Sequence, residues 1–401
     1  MAEHSHHAEL DSFKLDEALW SKVRNIIVFL FLVSAGASAA GFFLDSKQFY
    51  FSYLAGFAWS TRLLLGALFF LMAMIMSGAA WSVTMRRFFE TLSAVIPYGI
   101  ILFIPLVFGL KDLYSWANPN IVAADHILQG KAAFLNEKAF LIRTVVYFAI
   151  WAFFAWGIYR NSTAMDKDKN IQHMHSSARY SAPGLLIVFL ATSFAAFDWL
   201  MSLDPHWFST IYGIYIYAGG ALASMCAMVL ICLGFRSAGV LKNSITEEHY
   251  HDLGKWMFAI TVFWTYVSFS QYMLYWYANI PEETIWFKHR FVGSWLSVSK
   301  FIVFGHFVFP LFYLLTRKTK RNLTTLAAMA VWLLVMDYLD IHWNVMPNLH
   351  PSGFAPHWLD ITTPIATGSF YAFFFWNRLK QHALVPVGDV RLYQALAHHN
   401  I

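Results

Sequence analysis

The chain has 401 residues, 58% of them hydrophobic and 13% charged, with a net charge of +5 and 17 tryptophans. A mean hydropathy of +0.50 excludes an ordinary water-soluble domain and identifies an integral membrane protein. Basic residues are scattered over short connections, which excludes a nucleic-acid footprint, and two cysteines are too few for an iron–sulfur site.

In chain order, residues 1–24 are polar and acidic and lack the basic start of a secretory signal. They read as an N-terminal tail in which His4, His6 and His7 are solvated. Apolar segments long enough for about 30 Å of hydrocarbon follow at 25–44, 53–80, 91–110, 139–159, 181–203, 206–235, 254–279, 293–316, 323–346 and 361–382. The expected fold is therefore an all-α membrane domain of ten transmembrane helices over 25–382, with a C-terminal tail at 383–401. Of the 28 Lys and Arg residues, 19 fall on the side of the two termini and six on the other. The positive-inside rule thus predicts that both termini are cytoplasmic.

Short words recur four helices apart. F-D-W-L at 197–200 matches M-D-Y-L at 336–339, P-H-W occurs at 205–207 and 356–358, and W-S-T at 59–61 matches W-F-S-T at 207–210. They suggest two four-helix bundles, helices 2–5 and 6–9, flanked by helices 1 and 10. Parallel repeats of this kind place functional sites within or between the halves.

A charged side chain at mid-bilayer costs about 2.5–3.5 kcal/mol on insertion scales, so each one needs a reason. Three cations (Arg62, Arg143, Lys300) and three carboxylates (Asp198, Asp337, Asp340) fall within the predicted spans. His306 lies near mid-membrane and His342 nearer the outer end of helix 9. The bland reading is mutual pairing that fixes helix packing. The sharper one is a proton-transfer series of Asp198, Asp337, Asp340, His306 and His342, with Arg62, Arg143 and Lys300 as carboxylate partners or quinone contacts. A membrane-embedded b-type haem needs paired axial histidines, and His306 stands alone. Asp204 before Pro205 reads as the N-cap of helix 6, with Trp207 at the lipid interface.

Other polar groups have local readings. Ser268, Gln271, Tyr272 and Tyr275 form a stripe of interhelical hydrogen-bond glue on helix 7. Glu90 pairs with Arg86 and Arg87. H-M-H at 173–175 and H-Y-H-D at 249–252 read as solvated loops, so no metal site is expected. Cys226 and Cys232 share one apolar run and read as core packing.

The ten helices, the four-plus-four repeat and the missing cofactor ligands resemble the polysulfide-reductase-like NrfD membrane subunits. The words FDWLMSLDPHWFSTIYG (197–213) and MDYLDIHW (336–343) look closest to the second NrfD-like membrane protein of bacterial alternative complex III. That resemblance covers essentially the whole chain. It implies a membrane subunit of a respiratory quinol:electron-acceptor (cytochrome c) oxidoreductase in the bacterial inner membrane. Its partners would be a sister NrfD-like subunit, an iron–sulfur subunit, cytochrome c subunits and a terminal oxidase. Haem c and iron–sulfur clusters would belong to those partners, and quinone contact carries over onto Asp198, Arg62 and their neighbours. The competing readings are a purely structural anchor of that complex and a stand-alone secondary transporter.

Overall fold

The computed structural model describes residues 13–400 and contains no strand among them. The reading of His4, His6 and His7 lies outside the described residues. Ten long helices follow one another: α1 Glu17–Leu44, α2 Ser46–Met76, α3 Ala80–Phe108, α4 Glu137–Asp168, α5 Gln172–Leu203, α6 Tyr212–Ser237, α7 Glu247–Ala278, α8 Trp295–Leu315, α9 Leu323–Val345 and α10 Leu359–Leu379. Eight are long and apolar enough to cross a membrane, so the protein is an all-α, multi-pass membrane protein. The other two, α7 and α10, carry Trp, Tyr, Ser, Thr and Gln that lower their mean hydropathy.

The helices run further than the apolar segments do. α4 reaches Asp168 and α5 starts at Gln172, so most of the basic stretch 160–180 is helical, and H-M-H belongs to α5. Apolar length measures hydrocarbon thickness, whereas Lys, Gln, Met and Arg continue a helix readily once it leaves lipid. Between α1 and α2 the single residue Asp45 suffices, its carboxylate accepting from the backbone N–H of Gln48 to cap α2.

Two helices are deformed for a local reason. In α3 a 3₁₀ turn at Ile96–Tyr98 contains Pro97, which cannot donate to the α-helical ladder. In α8 a π-turn spans Val303–Val308 immediately before Pro310. The missing N–H of Pro310 frees the His306 carbonyl four residues back, and the widened turn carries His306 inward.

α2 lies at the centre, packed on α5, α6, α9 and α10, and α6 in turn packs on α5, α7 and α9. α2 and α6 meet backbone to backbone. A Cβ added at Gly66 falls 2.1 Å from the Gly220 carbonyl oxygen, a contact only small residues allow. α1 buries only Ser34, Ser38 and Gly41 and leans on α10, leaving its apolar flank outward.

The two ends of the described chain share a face, called the terminal face below. The Leu384 N–H donates to the Phe13 carbonyl at 2.7 Å, and Lys380 bonds Glu17. The C-terminal tail is folded against this face. Asp389 pairs with Arg86, the Gly388 N–H reaches Asp166 at 3.0 Å, and His398 meets Asp252 at 2.6 Å. On the opposite face, short helices at Leu110–Leu113, Pro119–Ala124 and His126–Lys131 cap the ends of α4 and α5. There the Lys131 ammonium donates to the Pro205 carbonyl at 2.5 Å.

Candidate functional site

The intramembrane charges divide into separate groups, and the deepest centres on Arg62. It stands at the midpoint of α2, because the helix begins at Ser46 and not near residue 53. Its guanidinium Nη2 is 2.7 Å from Asp337 Oδ1 and 2.6 Å from the Asp337 carbonyl, and Nη1 is 3.4 Å from Asp340 Oδ2. Asp337 and Asp340 lie on one face of α9 at i, i+3 spacing. All three side chains are 3% exposed or less. Space for the guanidinium comes from α6, where a Cβ at Gly219 would sit 2.7 Å from Arg62 Nη1.

A row of buried donors leads from this centre toward the face away from the termini. The Tyr215 hydroxyl donates to Asp340 Oδ1. The Asn344 amide donates to Tyr215 Oη at 3.0 Å, and Tyr212 donates to Asn344 Oδ1 at 3.1 Å. Every hydrogen in the row points inward, so it ends on a carboxylate that accepts. Beyond Tyr212 lies Arg290, fully buried, donating to the carbonyls of Trp286, Trp343 and Asn344 at 2.8, 3.2 and 2.7 Å. Trp286 lies under its guanidinium at 3.6 Å, and Asp204 is 3.7 Å away. Burial pushes the Arg290 pKa down to about 10, opposed chiefly by Asp204.

His306 is buried next to this row. Neither ring nitrogen has a hydrogen-bond partner, and its ring lies 3.9 Å from that of Trp264, which is 5.9 Å from Tyr215. It therefore approaches the Arg62 centre through aromatic contact and not through a hydrogen bond.

Asp198 belongs elsewhere. Arg143 grips it with Nε at 2.8 Å and Nη2 at 2.9 Å, and the Tyr147 hydroxyl donates at 2.7 Å. Three charge-assisted hydrogen bonds satisfy the carboxylate, while Phe134 covers Arg143 at 3.8 Å. Among the described residues no hydrogen bond or ion pair joins Asp198 to Asp337 or Asp340. The matching words F-D-W-L and M-D-Y-L also differ in depth. Asp198 is five residues from the end of α5, whereas Asp337 is eight from the end of α9 and followed by a further 3₁₀ turn. W-S-T likewise lies inside α2, while W-F-S-T precedes α6.

His342 forms a third group with a residue that sequence reasoning passed over. Its Nε2 is 3.3 Å from Asp360 Oδ2. Asp360 also accepts from the Ser52 hydroxyl at 2.6 Å and from the His357 N–H at 2.9 Å. Starting the last span at 361 left this carboxylate outside it. The cue was its place just after P-H-W, where an acidic residue opens a helix. Lys300 is exposed on the outer wall of α8, and among the described residues it has no carboxylate partner. Charge count alone predicts pairing, but the direction of a side chain around a helix decides which charges meet.

Several local readings change. Asp204–Pro205 does not start α6, which begins at Tyr212 after an irregular segment. Segment 207–211 is held by the polar stripe of α7, with the Ser209 hydroxyl donating to Gln271 at 3.1 Å and Tyr275 to the Phe208 carbonyl at 2.6 Å. Trp207 is 2% exposed and stacks on Trp286 at 4.6 Å instead of anchoring in lipid. His249, His251 and Asp252 lie in the first turns of α7 and are buried, not solvated. His249 there completes a capping box with Thr246. Glu90 pairs with Arg86 at 3.0 Å and Arg87 at 3.1 Å, and also accepts from Ser162 at 2.8 Å.

Comparison with known protein families and with curated proteins finds no match for this chain.

Proposed function

We propose that this chain is a membrane subunit of a bacterial respiratory quinol:electron-acceptor oxidoreductase of the alternative complex III type, and that its Arg62–Asp337–Asp340 centre handles protons. In this reading all ten long helices span the inner membrane, as units α2–α5 and α6–α9 flanked by α1 and α10, with both termini cytoplasmic. The close Gly66–Gly220 contact between the first helices of the two units supports that layout, and the basic character of the terminal face supports the orientation.

One observation carries the proton-handling role: a single guanidinium faces two fully buried carboxylates. With both ionised, the set has one uncompensated negative charge; with one proton bound it is neutral. Charge in a dry site is costly, so such a set exchanges one proton at a time with whatever reaches it. Tyr215 is hydrogen-bonded to Asp340 and stands between the centre and the outer face, while Asn344 aligns the two tyrosine hydroxyls without carrying a proton itself. His306 stands beside that row, against Trp264. Haem c, iron–sulfur clusters and quinol oxidation are assigned to partner subunits, and lipid surrounds the outer walls.

The full pairing of Asp198 by Arg143 and Tyr147 favours a second, structural reading for that residue. Asp337→Asn with Asp340→Asn in the intact complex tests the proposal. Proton release coupled to quinol oxidation should fall at least tenfold while haem content and subunit composition stay normal. Unchanged proton release in an intact complex refutes it.

A further inference from the structure

An apolar slot of about 410 Å³ lies between α1, α2, α6 and α10, in the half of the molecule nearer the termini. It runs from Leu19 and Ala238 at the terminal face to Trp59 and Gly368 near mid-helix. Its hydroxyls are engaged, while the Trp59 indole N–H at the deep end is buried without a hydrogen-bond partner. The Ser60 hydroxyl donates to the Gly56 carbonyl at 2.8 Å, and Tyr371 is bonded to Thr61 at 3.0 Å. Two glycines on facing helices keep it open: a Cβ built at Gly234 or at Gly368 meets nothing within 4 Å. Glycine inside a helix is unfavourable relative to alanine, and close approach of backbones does not explain either one.

The rim of the slot is basic. Lys22 and Arg24 stand on α1 beside the lining residues Leu19 and Val23, and Arg236 and Lys242 flank Ala238 at the end of α6. Of the nearby acids, Glu17 is paired with Lys380 and Asp16 caps α1. Lys22 and Lys242 are exposed and without an ion pair among the described residues.

We infer that the slot is a binding site for one acyl chain of an anionic phospholipid from the leaflet at the terminal face, its phosphate held by the basic rim. An unfilled apolar space of this size forfeits dispersion contacts along its whole lining, and the bilayer supplies hydrocarbon at its mouth. Cations at headgroup depth attract anionic lipid, and walls that are hydrocarbon apart from one indole N–H at the deep end suit an alkyl chain.

The test is native mass spectrometry of the full chain in mild detergent, with added phosphatidylglycerol as probe. Gly234→Leu with Gly368→Leu fills space that meets no neighbour, so this variant should fold and elute as wild type while phosphatidylglycerol binds at least tenfold more weakly. Lys22→Gln should weaken binding about fivefold and leave binding of phosphatidylcholine unchanged. Equal phosphatidylglycerol binding by wild type and the filled variant overturns the site. Co-purification of a phosphate-free isoprenoid lost on filling overturns the assignment of the ligand as phospholipid.

Discussion

Replacing Arg62 by Met is the most informative single perturbation of the core. It keeps the unbranched stem as far as the Nε position but leaves Asp337 and Asp340, both 0% exposed, without their cation. Removing one partner of a buried ion pair costs about 3–5 kcal/mol, which is between roughly two and four decades in an opening equilibrium. The two free cysteines give a built-in probe. Cys226 lies on α6 two turns beyond Gly219 and is wholly buried, and Cys232 is 1% exposed. Reaction of Cys226 with a thiol reagent in detergent follows the open population when reclosing is fast, so labelling should accelerate at least a hundredfold in Arg62→Met. Adding Asp337→Asn and Asp340→Asn removes the orphaned charge and should restore most of the protection. Wild-type labelling of Arg62→Met, or a triple variant as open as the single one, refutes the reasoning that Arg62 offsets buried negative charge.

Three further outcomes follow from the geometry. Arg143→Met should destabilise more than Asp198→Asn in the same assay, because Asn still accepts from Arg143 while Met strands a buried carboxylate with Tyr147 alone. Gly66→Ala should cost about 1–3 kcal/mol through overpacking against Gly220, whereas Gly368→Ala, with open space around its Cβ, should stabilise by up to about 1 kcal/mol; thermal melts of the two variants decide. The docked C-terminal tail should loosen as pH falls. Burial and then the nearby Arg87, Lys167 and Arg378 lower the His382 pKa, so docking is unpenalised above the ordinary histidine value and weakens below it, where only the released tail takes up the proton. Burial works against Asp389, but Arg391 and Arg86 outweigh it and hold its carboxylate below the usual range, so its contribution is lost only in strong acid. Protease sensitivity of the tail should therefore rise between pH 8 and pH 5.5 and lose that dependence in His382→Gln.

The sequence alone was enough for the membrane class, the all-helical architecture and the residues whose charge has no cheap place in lipid. Those follow from hydropathy and from the cost of burying charge, both of which are properties of the chain itself. Tertiary structure decided which of those charges meet. Arg62, Asp337 and Asp340 come together from helices that are distant in sequence, because on α6 Gly219 leaves room for the guanidinium and Gly220 lets the α2 backbone approach. Lys300 faces outward and Asp198 is taken by Arg143, although charge count grouped all six. Arg290 and Asp360 were overlooked because each lies just outside an apolar run, where composition reads as loop, yet packing buries them. Hydrophobic periodicity records how far a segment goes through lipid, but the rotation and depth at which helices dock are set by backbone approach and side-chain contacts, which no single segment encodes.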